Sequence, residues 1–265
     1  NEAISKAGYS FRNGLGGWGL YSKFDPLSPI PRETATDIVK THIVFGEKAV
    51  EDFVPGNFIE TSQHTYIGVE EEGIYSGGDL TLALMSPPET VSGKGVIYKL
   101  DRMLVAPDKS IFDIISDANT FPQYQKFYQL CYLSGLFLLD ENQHPLSLNN
   151  ISTGNYYTCF IPTNAALEEA IAEGLVPSDS DSLEQFVRYH FIEGVIFPDG
   201  EREGIFNTTR VDEETGYLFN TIEIMNQKFD LKIKDMLGNI RTVTKANHMA
   251  QDGVIHQIDS ILQYN

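Results

Sequence analysis

The spacing of hydrophobic residues predicts helices followed by strands, and this order occurs twice along the chain. Apolar residues recur at helical intervals in four stretches, which are 35–46, 111–115, 124–139 and 183–194. An apolar run at 156–161 and alternating patterns at 80–84 and 229–233 are typical of strands. Helices followed by antiparallel strands indicate the α+β class.

The end of the chain repeats an earlier segment. Residues 253–262 and 95–104 both follow the pattern G-V-I-x-x-[LI]-D-x-[MI]-L, with the same spacing between Gly and Asp. Self-similarity of this kind indicates a duplicated structural unit. The Asp of each copy, Asp101 or Asp259, is expected to accept backbone N–H groups at a strand end.

Two of the predicted helices also match each other. Each places a histidine, His42 or His190, on its apolar stripe, and each is preceded by a candidate N-cap, Thr34 or Ser182. A histidine on an apolar face is usually a core residue whose ring nitrogens are hydrogen-bonded. We therefore expect a structural role for both histidines, with the turn at Asn164 as the partner of His190.

A third match sets the expected domain boundaries. The predicted helix at 164–171 follows a strand, and its counterpart is the first segment of the chain, 1–8. The second copy is thus complete at 110–265. The first copy, 1–106, lacks its opening helices and first strand, and we expect the native protein to continue upstream of Asn1.

The charge excludes several classes of partner. Thirty-seven acidic residues face 19 basic ones, which gives a formal net charge of −18. Such a surface repels polyanions, so we expect no nucleic-acid partner. No apolar stretch approaches the roughly 18 residues of a membrane span, so we expect no direct membrane insertion.

The sequence offers no catalytic or metal-binding constellation. It contains no G-x-S-x-G, H-E-x-x-H or CxxC motif. Cys131 and Cys159 each stand in an apolar run and are expected to be buried free thiols, although one disulfide bridge is an alternative. We therefore predict neither an enzyme, nor a metal site, nor a cofactor.

Taken together, three motifs resemble the fasciclin-type domain. They are the strand-to-helix segment 158–167, the Tyr-His pair Tyr189 and His190, and the closing segment 253–262. The resemblance implies a wedge of two packed β-sheets flanked by helices, in two tandem copies. It also implies secretion or anchoring at the cell surface, including as a lipoprotein, and roles in adhesion rather than catalysis.

One family feature is absent. In animal matrix members such as keratoepithelin and periostin, an Asp-Ile pair before the closing segment is linked to integrin contact. The aligned residues here are Asn247 and His248, and in the first copy Glu89 and Thr90. The resemblance therefore does not extend to an integrin mechanism.

The resemblance therefore implies a non-enzymatic adhesion or interaction protein, extracellular or anchored at the cell surface, with a protein or glycan partner. The alternative is a glycan-binding accessory module of the cell envelope, because Trp18 lies in a Gly-rich insertion where its ring could form a sugar platform. Any export signal is expected outside these residues. The candidate binding positions are taken from the motifs of the resemblance and from the Gly-rich insertion, and they are Tyr189, His190, Asn247, His248, His42 and Trp18.

Overall fold

The structure is a computed structural model of the chain. It describes residues 9–14, 17–22, 28–90, 95–139, 141, 145–148, 155–212, 215–216 and 218–264. The chain divides into two compact units, which are called unit 1 (1–108) and unit 2 (109–265).

Unit 1 combines a helix with short antiparallel strands. Its described α-helix and strands are β1 (Tyr9–Gly14), β2 (Gly17–Ser22), α1 (Arg32–Thr41), β3 (Phe58–Glu60), β4 (Tyr66–Val69), β5 (Ile74–Ser76), β6 (Asp79–Ala83), β7 (Glu89–Thr90) and β8 (Val96–Ile97), and a 3-10 turn spans Val50–Asp52. Strands β3 to β6 form one sheet, whereas β1 pairs with β2 and β7 pairs with β8. The buried core of this unit comprises Ile59, Ile67, Val69, Ile74, Ala83 and Leu104.

Unit 2 begins with helices and ends with strands. Its helices are α2 (Ile111–Ser116), α3 (Gln125–Leu133), α4 (Asn164–Ala172) and α5 (Ser180–Arg188). Its strands are β9 (Phe137–Leu139), β10 (Pro145–Leu148), β11 (Tyr157–Pro162), β12 (Phe191–Glu193), β13 (Gly204–Val211), β14 (Phe219–Gln227), β15 (Asp230–Lys234), β16 (Ile240–Ala250) and β17 (Gly253–Ile258). This content is the expected α+β class.

Strands β11 to β17 close into a barrel. Neighbours in this ring pair antiparallel, except that β11 lies parallel to β17, with Tyr157 opposite Gly253 and Pro162 opposite Ile258. A parallel pair requires a long crossover, and here the whole of the chain between the two strands provides it. The two sheets expected from the resemblance are thus joined along their edges.

Every residue of β11 is buried, because both faces of this strand meet a hydrophobic cluster. Phe160 packs with residues of β12, β14, β15 and β17 in one cluster. Cys159 and Ile161 point the other way and pack with α2, α3, α4 and α5. The barrel wall therefore separates a strand-lined core from a helix-covered core.

Two helix starts differ from the sequence prediction. Helix α5 is capped by Asp179, whose carboxylate accepts the backbone N–H of Ser182 at 2.9 Å. Pro31 stands before α1, which has no side-chain cap. Ser182 and Thr34 are therefore first-turn residues rather than N-caps.

The predicted helix over 124–139 is also too long. Helix α3 ends at Leu133, and Gly135 has a φ of 70°, a left-handed conformation that ends helices. The remaining apolar residues of that stretch form β9 instead.

Cys131 and Cys159 are both buried free thiols, as expected, and burial raises the pKa of each thiol. Of the helices in the described ranges, none is long and apolar enough to cross a membrane.

Candidate functional site

His190 is completely buried and uses both ring nitrogens. Its Nδ1–H donates to the carbonyl of Phe186 at 2.9 Å, and its Nε2 accepts the backbone N–H of Leu262 at 3.2 Å. Burial lowers the pKa of His190 to about 4, so the ring is neutral at pH 7. His190 thus fastens the end of the chain to α5, and Asn164, the partner expected from sequence, instead donates to the carbonyl of Pro122.

Tyr189 is equally inaccessible. Its hydroxyl donates to the carbonyl of Thr221 and accepts the N–H of Met236, each at 3.0 Å. Its ring meets Tyr264 edge to face at 5.0 Å, and burial raises the pKa of the phenol. The Tyr-His pair holds three segments of unit 2 together and leaves no atom for a partner.

His42 makes the same two bonds in unit 1. Its Nδ1–H donates to the carbonyl of Ile38 at 2.7 Å, and its Nε2 accepts the N–H of Leu104 at 2.9 Å. Leu104 and Leu262 occupy the same position of the repeated closing segment. The two histidines differ in exposure, since His42 is exposed whereas His190 is fully buried.

Asp101 and Asp259 also act alike. Asp259 Oδ1 accepts the N–H of Thr242 at 3.0 Å, and Asp101 Oδ1 accepts the N–H of Leu84 at 2.8 Å, both across 17 residues. In each case the backbone N–H of the aspartate donates back to the same partner. These bonds confirm the prediction that both carboxylates accept backbone N–H groups at a strand end.

A further shared contact escaped the sequence analysis because the residue types differ. His256 Nε2–H donates to the carbonyl of Ile196 at 2.8 Å, and Tyr98, at the same repeat position, donates its hydroxyl to Lys48 at 2.7 Å. Burial lowers the pKa of His256 to about 4. The repeat offset that aligns His42 with His190 also aligns Lys48 with Ile196. The alignment of the two repeats was therefore the sequence feature that could have revealed this equivalent contact.

A different environment surrounds His248, where β16 departs from regular pairing with β17. The His248 patch consists of Lys109, Phe121, Lys245, Asn247 and His248. The imidazole contacts the ring of Phe121 at an interplanar angle of 59°, with ring centroids 4.8 Å apart. Lys109 Nζ lies 5.2 Å from the centroid of Phe121 and 3.0 Å from Asp117 Oδ2. Lys245 is exposed, and Phe121 and His248 are each half-buried.

Below this patch, Tyr124 fixes the histidine ring. The hydroxyl of Tyr124 lies 3.0 Å from His248 Nδ1. Burial, followed by the charges of Lys245 and Lys109, lowers the pKa of His248 to about 4. At neutral pH the patch therefore offers a neutral imidazole, an aromatic edge and the ammonium group of Lys245, whereas the ammonium group of Lys109 is in an ion pair with Asp117 at 3.0 Å.

Asn247 forms the bulge itself. Its φ is 65°, in the left-handed region, and its backbone N–H donates to His256 Nδ1 at 3.2 Å. Asparagine tolerates this conformation better than most residues. The buried Oδ1 of Asn247 has no hydrogen-bond partner in the described part of the chain.

Trp18 belongs to β2, opposite Asn13. Its side chain lies outside the residues whose side chains the structure describes, so the sugar-platform hypothesis stays a prediction. Across the described ranges, no three His, Cys, Asp or Glu residues are grouped so that they could hold a metal ion.

Comparison with known proteins gives two findings. The chain is similar to the FAS1 domain pair of the insect cell adhesion molecule fasciclin I, at 16% identity and a TM-score of 0.41, over 88% of this chain and 81% of that one. The fasciclin domain family matches residues 123–264, which is more than half of the 265 residues. The chain therefore belongs to the fasciclin domain family.

Proposed function

We propose that this chain is a non-enzymatic adhesion or interaction protein, extracellular or anchored at the cell surface, that contacts a protein or glycan through the His248 patch. Membership of the fasciclin family supports an interaction role. The observation that carries the proposal is the difference between the motif residues. Tyr189 and His190 are fully buried and make all their contacts inside unit 2, whereas the His248 patch presents aromatic and cationic groups to solvent.

The proposal includes two fasciclin-type units in tandem. Support comes from the contacts that unit 1 shares with unit 2: the histidine bonds of His42, the carboxylate bonds of Asp101 and the Tyr98 bond to Lys48. One more shared bond joins Ser62 Oγ to the carbonyl of Lys40, as Thr209 joins Arg188. Bonds between segments far apart in sequence recur only when the chain path recurs.

The chemistry of the patch also restricts the partner. The tilted rings of Phe121 and His248 favour planar or apolar groups, and the ammonium group of Lys245 favours a carboxylate or another hydrogen-bond acceptor. The surrounding net charge of −18 opposes a long polyanion. A folded protein with an acidic and aromatic epitope, or a short glycan, meets both conditions.

The test is binding of the whole chain to an array of matrix proteins and glycans at physiological salt. We expect Lys245→Glu to weaken binding about tenfold, mainly by slowing association, because the reversed charge repels the same partner. Lys234→Glu is the matched control, since Lys234 is also exposed but lies on β15 in an ion pair with Glu223.

Equal affinities for the wild type and the Lys245→Glu variant would remove the His248 patch from the interaction. A loss of binding in both lysine variants would indicate a general effect of charge. A hit that disappears on Trp18→Ala while Lys245→Glu leaves it intact would favour the glycan-module alternative.

A further inference from the structure

We infer that an open face of unit 1 beside His42 is a docking groove for an apolar helix–strand segment of polypeptide, with the chemistry that residues 111–162 have in unit 2. The inference rests on the proposal that unit 1 is a second fasciclin-type copy, and it is independent of what the His248 patch binds.

The groove has a volume of about 710 Å³ and a largely apolar wall. It lies between α1, β8 and the sheet of unit 1. Representative lining residues are Ala35, Val39, His42, Ile67, Ile97 and Leu104. A cavity of this size with few polar groups is suited to side chains rather than to a hydrated polar ligand.

The first wall is the apolar side of α1. The side chain of Val39 is 58% exposed, whereas Val187, its counterpart on α5, is fully buried. Ile43 is likewise exposed where its counterpart, Phe191, is buried. In unit 2 this face is covered by α3, whose Phe127 ring lies 6.2 Å from the ring of Phe191.

The same cover extends to the histidine. Phe127 lies 5.7 Å from the ring of His190, which is thereby removed from solvent. His42 holds the equivalent pair of hydrogen bonds but is exposed, and the described residues supply no aromatic ring above it. The histidine of unit 1 thus has both hydrogen bonds, whereas no aromatic ring in the described ranges of that unit covers it.

The second wall is the edge of β8. In the described part of unit 1, β8 pairs with β7 alone, whereas its counterpart, β17, pairs with β16 on one side and with β11 on the other. Ile97 is 51% exposed, while the aligned Ile255 is fully buried. An open strand edge with an apolar side chain is a surface that another strand can join.

A repeated glycine gives independent support for a position beside β8 where another strand can pair. At Gly253 a Cβ atom would stand 1.9 Å from the carbonyl oxygen of Tyr157 on β11, so only glycine lets the two backbones meet. The aligned Gly95 has no described atom within 4 Å of the equivalent position. Unit 1 retains the residue that close strand approach requires, and no described atom fills the equivalent space.

One kind of occupant can both cover the apolar side of α1 and pair with the open edge of β8. In unit 2 the helix cover and the parallel strand come from a single stretch of chain, 111–162. A small apolar molecule would cover Val39 but leave the backbone groups of β8 without partners. A second copy of this chain would meet it about a two-fold axis and pair β8 with β8 antiparallel, in conflict with the parallel register of unit 2.

The experiment places an additional copy of residues 110–163 directly before Asn1 of the whole chain. Asn1 aligns with Asn164, so the fused segment enters unit 1 in the register of unit 2. Hydrogen exchange is then measured at the amides of β8 and α1. We expect exchange at Val96, Ile97 and Val39 to slow at least about tenfold relative to the unfused chain, because burial and strand pairing protect amides.

Two surface variants of the fused chain provide the control. Val39→Glu puts a charge in the groove and should restore fast exchange, because burying an unpaired carboxylate is costly. Leu80→Glu should leave the protection intact, since Leu80 is 66% exposed on β6 and does not line the groove. Both side chains are exposed in the unfused chain, so neither substitution should prevent folding.

Unchanged exchange at β8 in the fused chain would overturn the inference. So would a dimer of the unfused chain that Val39→Glu converts to a monomer, because the occupant would then be a second copy. Protection of β8 by a fatty acid equal to that by the fused segment would likewise contradict it. Binding at the His248 patch, measured separately in the unfused Val39→Glu variant, distinguishes this failure from a failure of the proposed function.

Discussion

At the scale of single residues, histidine has a structural role at some positions and is a candidate contact residue at another. His190 and His256 are fully buried, and each ring nitrogen has a backbone partner, so these rings act as connectors. His248 has one tyrosine partner and remains half-exposed, which leaves part of its ring for contact. Burial, more than residue type, separates structure from candidate function here.

Asn247 offers a direct test of the bulge that presents His248. Its φ of 65° is tolerated by asparagine and glycine but strained for a β-branched residue. We expect Asn247→Gly to leave the thermal unfolding midpoint nearly unchanged, whereas Asn247→Val should lower the free energy of unfolding by about 1–2 kcal/mol. Equal effects of the two substitutions would mean that side-chain contacts, rather than backbone conformation, select asparagine.

The buried histidines predict a defined pH dependence. Burial lowers the pKa of His190 and of His256 to about 4, below the unfolded value near 6.5. Between those values the unfolded chain binds protons that the folded chain does not, so stability falls as the pH falls from about 6.5 to about 4. Each histidine should contribute a loss of order 3 kcal/mol across this window.

The measurement is slow, global hydrogen exchange of β17 amides as a function of pH, corrected for intrinsic exchange. His256→Gln keeps an N–H donor for the carbonyl of Ile196 but does not titrate, so it should reduce the slope by about one proton. A slope identical to that of the wild type would show that His256 is not the group responsible.

At the scale of elements, each unit contains the hydrogen bonds that the repeats share, but the strand of the closing segment is enclosed by neighbours to a different extent in the two units. The backbone of β17 is enclosed between β16 and β11, and that of β8 is open on one side in the described structure. The same closing motif is therefore under different steric constraint in the two units.

Gly253 and Gly95 form a matched pair for testing this difference. Gly253→Ala should destabilise unit 2 by about 3 kcal/mol or more, because the new Cβ would overlap the backbone of Tyr157. Gly95→Ala should change the stability of unit 1 by no more than about 0.5 kcal/mol in the same chain. Calorimetry of the two variants measures both values, and a large loss for Gly95→Ala would show that its surroundings are already filled.

Much of this could be predicted from the sequence, because periodicity and repeats report local structure. The helix before His190, the strand-end role of Asp259 and the α+β order follow from spacing, although the helical pattern over 183–194 extends past Arg188 into β12. The acceptor and donor partners of His190 could not be predicted, since Leu262 lies 72 residues away and donates through its backbone, which carries no residue signature. The barrel closure was missed for the same reason.

The candidate site was less accessible to sequence reasoning than the fold. Asn247 and His248 were found through alignment with a family motif that they do not match. Their environment depends on Phe121 and Lys109, which tertiary structure brings beside them. Charge and aromatic neighbours from distant segments leave no pattern along the chain.

At the scale of the whole molecule, the chain combines a strongly negative net charge with a candidate contact area in unit 2 that carries an exposed lysine. The net charge of −18 sets a repulsive background for anionic partners. Exposed apolar residues also occur away from the patch, including Ile205, which is 75% exposed, and Phe229, which is 70% exposed. In the proposed function, partner contact passes through the His248 patch and not through these residues.

The most direct measurement is hydrogen exchange of the whole chain with and without the partner captured on the array. The pairing irregularities between Val243 and His248 interrupt the strand ladder, so amides there should exchange readily in the free protein. We predict that the partner slows exchange at 119–122 and 244–249 and leaves the segments around Ile205 and Phe229 unchanged. Protection around Ile205 and Phe229, with none at 244–249, would contradict the account.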